Sequence, residues 1–146
     1  MMTPRERAEK SAEKLWENDW ASHWFGMELG PVDEGFAEIK LVVQKHHANG
    51  HGICHGAVIF ALADTAFAFA CNSRNQSTVA QHNTISYVAP GRIDDTLVAT
   101  AREVHLSGRN GTTDVVVKNQ NDETIALFRG ASRAIKGNLF QEETNE

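Results

Sequence analysis

Hydrophobic and polar positions change their period several times along this chain, and each change marks an element. Thr3-Pro4-Arg5-Glu6 reads as a helix start: a threonine cap, a proline at the first helical position, and a glutamate three residues after the cap. Ala8, Ala12, Leu15, Trp16 and Trp20 then recur at helical spacing, which predicts an amphipathic helix over residues 4–21. Acids and bases are mixed on it, so it suits packing on a domain surface rather than lying on a membrane. Trp24 to Leu29 reads as a short strand, closed by a turn at Gly30-Pro31. Phe36 to Gln44 alternates cleanly, with Ala37, Ile39, Leu41 and Val43 on one side and Glu38 and Lys40 on the other. That is the pattern of a half-buried antiparallel strand.

Residues 45–54 are polar and glycine-broken, and read as a loop. The run from His55 to Cys71 is the opposite: apolar almost all the way round, rich in alanine, and free of proline and of glycine after Gly56. Such a segment predicts a buried helix. It is too short to span a bilayer, which takes roughly 20 apolar residues. Beyond Asn72-Ser73-Arg74-Asn75 the period shifts to two. Strands are expected at Ser77–Ala89, Thr96–His105, Thr112–Lys118 and Glu123–Ala134, separated by Pro90-Gly91, by Ser107-Gly-Arg-Asn-Gly111 and by Asn119-Gln-Asn-Asp122. The tail from Gln141 to Glu146 is polar and is expected to be disordered. One apolar helix with five or six alternating strands predicts a single α+β domain over residues 1–146, a curved antiparallel sheet wrapped around the helix, with an extra helix at the N-terminus. One layer of sheet leaves much of itself uncovered, so self-association is expected.

Composition narrows the function. The hydrophobic share is 41% and the charged share 23%, as in ordinary globular proteins. A net charge of −5, with Lys and Arg scattered rather than striped, argues against a nucleic-acid partner. Cys54 and Cys71 form neither a C-x-x-C motif nor a disulfide framework. With no leader or membrane-spanning run in view, a cytoplasmic location and no membrane association are expected.

The chemistry gathers on the apolar helix. Asp64 is the one carboxylate in its middle, and a charge buried there is costly unless paired, hydrogen-bonded or used. Asn49, Gly52, His55 and Gly56 lie just upstream. The Gly56 amide stands at the helix start, where N–H groups lack intrahelical partners and a developing oxyanion is stabilised. Asn49 is suited to orient a water or a carbonyl, and Asp64 to act as general base or nucleophile. Eight residues of helix separate Gly56 from Asp64, about 12 Å at ~1.5 Å per residue. If both act on one carbon, Asp64 comes from a second subunit across a two-fold interface.

These residues also carry a resemblance. Asn49-Gly-His-Gly-Ile-Cys-His55-Gly56-Ala-Val-Ile-Phe-Ala-Leu-Ala-Asp64 resembles the N-x-x-G-x-x-H-G-G-x-x-x-x-L-x-D signature of hotdog-fold acyl-CoA thioesterases, most closely those of the phenylacetic acid degradation type. Glu17-Asn18-Asp19, Asp33-Glu-Gly-Phe36, the run from Asp64 to Ser73 and Ala126-Leu-Phe-Arg-Gly130 extend the likeness over nearly the whole chain. The resemblance implies a helix wrapped by an antiparallel sheet, a homodimer with sites at its interface that usually pairs into a homotetramer, and hydrolysis of acyl-CoA without a metal or redox cofactor. By position it implies Asp64 as the catalytic carboxylate, Gly56 as the oxyanion donor, Asn49 as the positioning group and His55 in support. Ala57 departs from the pattern by replacing its second glycine, and His46-His47 has no place in it.

A CoA substrate brings phosphates. Arg109 in the 107–111 turn, with Asn110 and Gly111, is the candidate phosphate site, and Arg92 is a second. Phe60 and Phe67 are candidates to line an acyl pocket, although core packing suits them better. The expected substrates are small aryl-acyl thioesters, phenylacetyl-CoA and its ring-hydroxylated forms. The alternatives are medium-chain aliphatic acyl-CoA, or a non-catalytic hotdog sensor that only binds acyl-CoA. Dehydratase chemistry on the same fold calls for a different His and acid arrangement. His47, His51 and His55 recur every fourth residue as metal ligands on a helix would, but Gly50 and Gly52 interrupt them, so no metal is expected. Cys54 beside His55 suggests a thiol nucleophile only if the two side chains meet in space.

Overall fold

In the computed structural model, which describes residues 1–143, a six-stranded antiparallel sheet of order β1-β2-β4-β5-β6-β3 curves around one helix. The strands are β1 (Glu28–Asp33), β2 (Phe36–Val42), β3 (Thr78–Tyr87), β4 (Thr96–Ser107), β5 (Asn110–Lys118) and β6 (Thr124–Ala134). The helices are α1 (Pro4–Glu17), α2 (Trp20–Phe25) and the enclosed α3 (Gly56–Cys71). Alternation predicts the inward faces correctly: Ala37, Ile39 and Leu41 of β2, Leu97, Ala99 and Ala101 of β4, and Val115 and Val117 of β5 are all buried against α3 or its surroundings. Among the described residues, no helix is long and apolar enough to cross a membrane.

The N-terminal region departs from the sequence-based expectation. Thr3 caps α1 with the full reciprocal box, its hydroxyl accepting from Glu6 N–H while Glu6 accepts from Thr3 N–H. The expected single helix over 4–21 instead stops at Glu17. Asp19 caps a new helix, its carboxylate accepting from Ser22 N–H at 3.1 Å and Ser22 hydroxyl at 2.7 Å. Trp24 and Phe25 are therefore helical, not the start of a strand, and Gly26 closes α2 in the left-handed region at φ 84°. Gly30-Pro31, expected as a turn, lies within β1. Proline is tolerated there because β1 is an edge strand and its register with β2 slips between Leu29 and Val32. The real turn is one step later, at Glu34-Gly35, with Gly35 at φ 66°.

The C-terminal end of α3 is tied to three neighbours by the Asn72-Ser73-Arg74-Asn75 stretch. Asn72 accepts from Thr78 N–H at 2.9 Å and donates to Thr78 C=O at 3.0 Å, fixing the start of β3 against the helix end. Ser73 Oγ accepts from Gly35 N–H at 2.8 Å, and Arg74 pairs with Glu34 and with Glu103, the latter at 2.6 Å. Asn75, at φ 58°, accepts from Leu139 and Phe140 N–H. The tail expected to be disordered is partly held. Glu142 accepts from Arg7 at 2.6 and 3.1 Å, while residues 144–146 of that expectation lie outside the described residues.

One glycine lets the sheet close on α3, and a second lets neighbouring strands pack side by side. A Cβ at Gly130 of β6 would come within 2.6 Å of the Phe67 ring, and one at Gly111 of β5 within 2.7 Å of Ser132 Oγ. The first obstacle is a rigid ring in the core; the second is a hydroxyl that can rotate. Gly130→Ala is expected to destabilise the fold by about 1–3 kcal/mol through overpacking, with Gly111→Ala milder. Gly50→Ala, where a Cβ meets nothing within 4 Å, serves as the control. Thermal unfolding of the three variants checks the order, and an unchanged melting temperature for Gly130→Ala would show that the Phe67 ring can yield.

Candidate active site

The enclosed helix is not covered on every side. Val58, Ile59, Leu62, Ala63, Ala66, Phe67, Phe69 and Ala70 are buried, but Ala57, Phe60, Ala61, Asp64, Thr65 and Ala68 keep partial exposure. Those six positions recur at i, i+3, i+4, i+7, i+8 and i+11, so they form one stripe along the helix. Beside the stripe runs β3, an edge strand paired only with β6. The candidate chemistry lies on this open stripe and along this open edge.

Asp64 sits midway. Its Oδ1 accepts from the Asn83 side-chain amide of β3 at 3.0 Å. Burial pushes its carboxyl upward from the ordinary value, and the Asn83 hydrogen bond pulls part of the way back. Asn83 is a site residue that sequence reasoning missed. Its only signal is a carboxamide in mid-strand, where such residues are disfavoured.

The second centre is the N-terminus of α3. His55 is the N-cap, and its Nδ1 accepts from Ala57 N–H at 2.9 Å. That settles the proton on Nε2 in the neutral ring. Gly56 N–H, at the first helical position, has no acceptor among the described residues. Gly56 C=O accepts from the Tyr87 hydroxyl at 3.0 Å, and the Tyr87 ring lies 3.3 Å from where a Gly56 Cβ would stand. Tyr87 is the other residue the sequence did not reveal. It ends β3 and leans over the glycine, with Asn49, Ile53, Cys54 and Pro90 lining the same cavity of about 390 Å³.

Asn49 has divided duties. Its Oδ1 accepts from His51 N–H at 2.9 Å and Ile53 N–H at 3.4 Å, so that half of the side chain is a turn brace. Its amide donors have no partner among the described residues. Gly52, at φ 78°, closes the same turn. The loop is then anchored from Cys54 N–H to Gly91 C=O at 2.7 Å and from His55 N–H to His47 C=O at 2.8 Å.

Other expected site residues are not brought to this stripe. Phe67 is 1% exposed, under Gly130 and against Phe128, so it is a core side chain and no wall of a ligand pocket in this chain. Phe60 remains half-exposed on the stripe, its ring 5.6 Å from that of Phe128. Gly111 is buried within β5, where its role is close packing against Ser132. Arg109 and Asn110 are exposed at the β4–β5 turn. Asn110 pairs with Arg133, which pairs with Val79, so the turn lies at the Thr78 end of the sheet, opposite the Tyr87 end where Gly56 is. Arg92, joined by a bridge to Ile53, is at the Gly56 end.

The metal and thiol readings find no geometric support. His47 spends Nδ1 on Gln44 N–H at 2.9 Å and Nε2 on Phe25 C=O at 2.8 Å, and His55 spends Nδ1 on its cap. Among the described residues, no three His, Cys, Asp or Glu side chains gather as ligands would. Burial pushes the Cys54 thiol up to about 11, which keeps it protonated and a poor nucleophile.

Comparison with known proteins bears directly on this arrangement. The thioesterase superfamily profile matches residues 51–126, which contain the α3 N-terminus, Asp64, Asn83 and Tyr87. The chain is similar to the Escherichia coli (strain K12) protein named acyl-coenzyme A thioesterase PaaI, at 42% identity over 93% of this chain and 97% of that one. The solved structure of the E. coli PaaI protein from the phenylacetic acid degradation operon superposes with a TM-score of 0.92 at 41% identity, covering 93% of this chain and 99% of that one. A Streptococcus mutans UA159 protein solved bound to acetyl CoA superposes with a TM-score of 0.73 at 25% identity, over 77% of this chain and 90% of that one.

The buried carboxylate has a consequence for stability. Because folding raises the Asp64 pKa, the folded state takes up its proton more readily than the unfolded chain. The stability this supplies is full below the unfolded pKa and is lost as pH rises through the folded one. Asp64→Asn keeps an acceptor for Asn83 without the charge. Its melting temperature is expected to equal or exceed that of wild type at pH 7, with the gap closing as pH falls toward 4. A variant less stable than wild type at pH 7 would make Asp64 a net stabiliser of the fold.

Proposed function

The chain belongs to the thioesterase superfamily and is an acyl-CoA thioesterase, and from that premise we propose that it hydrolyses small aryl-acyl-CoA thioesters, phenylacetyl-CoA and ring-hydroxylated phenylacetyl-CoA foremost, to the free acid and CoA. The observation that carries this reading is the pairing of one half-buried carboxylate, Asp64, on the open stripe with one unpartnered helix-start amide, Gly56, at its head. The aryl preference draws on the likeness to a protein of the phenylacetic acid degradation operon. A cytoplasmic setting goes with that reading.

If both groups act on one carbon, two chains are needed. Asp64 and Gly56 are eight residues apart on one helix, about 12 Å, and their partners Asn83 and Tyr87 are four residues apart on β3, about 13 Å. Helix and strand therefore carry the two half-sites in parallel. An antiparallel pairing of two α3 stripes about Phe60–Ala61 puts Asp64 opposite Gly56 of the partner subunit. The matching pairing of two β3 edges about Ile85 puts Asn83 beside Tyr87 of the partner subunit. One two-fold axis satisfies both, and it makes two equivalent sites in a homodimer. Further pairing into a homotetramer uses surfaces outside these sites.

In each site the thioester carbonyl points at the Gly56 amide, where the helix dipole adds to the hydrogen bond as the oxyanion forms. Asp64 then acts either by taking a proton from water as it attacks or by attacking the carbon itself. In the first case the water oxygen bonds to the acyl carbon as the C–S bond breaks and CoA leaves as its thiol; in the second the thiol leaves from an acyl anhydride on Asp64, which water then hydrolyses to the free acid and the Asp64 carboxylate. Asn49, with its donors free, orients the water or the carbonyl. His55 serves by holding the helix start. The same two-fold carries the Arg109 turn of one chain toward the Gly56 end of the other, where the phosphates of CoA would enter.

Thiol release from a panel of CoA esters, from acetyl to hydroxyphenylacetyl, tests the reading. Asp64→Asn is expected to lower kcat by about 10²–10⁴-fold, with binding retained. Mixing Asn49→Ala chains with Asp64→Ala chains is expected to restore about a quarter of wild-type activity, from the one intact site in each randomly formed heterodimer. No recovery in proven heterodimers would place both groups of a site in one chain. Arg109→Gln is expected to raise KM with kcat little changed; an unchanged KM for every ester would remove it from the site.

A further inference from the structure

We propose that Asn83 is the positioning residue of the reacting carboxylate, pinning Asp64 Oδ1 from the edge strand so that Oδ2 alone faces the chemistry. The proposal rests on the thioesterase reading for what Oδ2 does, but the Asn83–Asp64 pairing stands on its own geometry. Asn83 Nδ2 donates to Asp64 Oδ1 at 3.0 Å, and Oδ2 has no partner among the described residues. The carboxylate is thereby held in one orientation with one oxygen committed and one free.

The other end of the amide shows what this arrangement costs. Asn83 Oδ1 is buried and accepts from nothing among the described residues. A buried acceptor without a donor is unfavourable, and turning the amide over would only aim that acceptor at the carboxylate oxygen. Asn83 also stands mid-strand, opposite Gly130 of β6, where a β-branched or aromatic side chain would pair better. Strand preference and hydrogen-bond satisfaction both disfavour asparagine at this position. What it does supply is a donor to Asp64.

Among the described residues, no other side chain donates to Asp64. The inward positions of the strands around this part of α3 are Ile85 on β3, Thr113 and Val115 on β5, and Phe128, Gly130 and Ser132 on β6, none of them charged. Along α3 the nearest titratable side chain is Cys71, whose thiol is pushed up to about 12, by burial first and by the Glu103 charge second. Burial raises the Asp64 pKa, and Asn83 is the one opposing influence seen.

The test compares wild type with Asn83→Leu, of similar size but without the donor, and Asn83→Thr, which suits a strand but is too short to reach. The acid limb of kcat/KM against pH is expected to move upward by about one pH unit in both variants, as loss of a hydrogen bond to a charged group implies. KM is expected to stay within about twofold and kcat to fall. Carbon-13 titration of the Asp64 carboxyl in the same proteins should show the same upward shift without reference to turnover. If activity falls while the limb and the titration stay in place, Asn83 is a structural residue and the proposal fails. If wild type hydrolyses no CoA ester, the functional reading fails, and the titration still decides the role of Asn83.

Discussion

The structure depends on how far one layer of sheet can enclose an apolar helix. α3 is built from alanines and phenylalanines, and every turn of it seeks burial. A curved six-stranded sheet supplies that burial on three sides, provided the strands approach closely enough. Gly130 permits the approach where Phe67 fills the space a side chain would need. What the sheet cannot reach is the stripe from Ala57 to Ala68, bordered by the one edge strand that runs along the helix. An apolar stripe next to an unpaired strand edge is unfavourable in water on two counts, exposed apolar area and unpaired backbone groups. A second copy of the same surface, as in the proposed dimer, would answer both.

That incompleteness is also where the candidate chemistry sits. A carboxylate wholly inside the wrap would be neutral and inert, and one on the outer face of the sheet would be solvated and ordinary. Asp64 lies between these extremes, buried enough for its proton affinity to rise and open enough to meet a substrate. The helix start has the same character. Its dipole is strongest where the surrounding protein excludes water, and Tyr87 leaning on Gly56 from the strand end begins that exclusion. Fold and proposed site thus follow from one arrangement, in which the surface the sheet leaves open is the surface that carries the candidate reacting groups.

The sequence discloses what repeats locally and conceals what is settled across space. Alternation along β2, β5 and β6 and the unbroken apolar run of α3 are strong periodic signals, and the wrapped-helix architecture follows from them. The break between α1 and α2 is not periodic. It rests on Asp19 capping Ser22, and an acid inside a helical pattern gives no sign that it starts a new helix. Pro31 looks like a turn because proline usually is one, and only its place on an edge strand makes it tolerable in β1. In the site, Asp64, Gly56 and His55 can be read because helix position gives each a role. Asn83 and Tyr87 cannot, since their significance lies in which helix residue they face, and strand register decides that.

The division of labour at the α3 start shows why the glycine in the first position matters more than the one replaced in the second. A helix N-terminus offers several N–H groups without intrahelical acceptors, and they compete for whatever anion arrives. His55 removes one from the competition by binding Ala57 N–H at 2.9 Å. The residue at position 57 therefore contributes its donor to the cap and not to the oxyanion, and alanine can do that as well as glycine. Its methyl group falls on the exposed stripe, where it meets whatever covers that stripe. Gly56 is left as the free donor, and glycine suits it for a separate reason: a Cβ there would stand 3.3 Å from the Tyr87 ring, which would have to give by a few tenths of an ångström. The histidine cap, the alanine and the glycine act as one device that presents a single N–H, and the departure from the double glycine leaves that device intact.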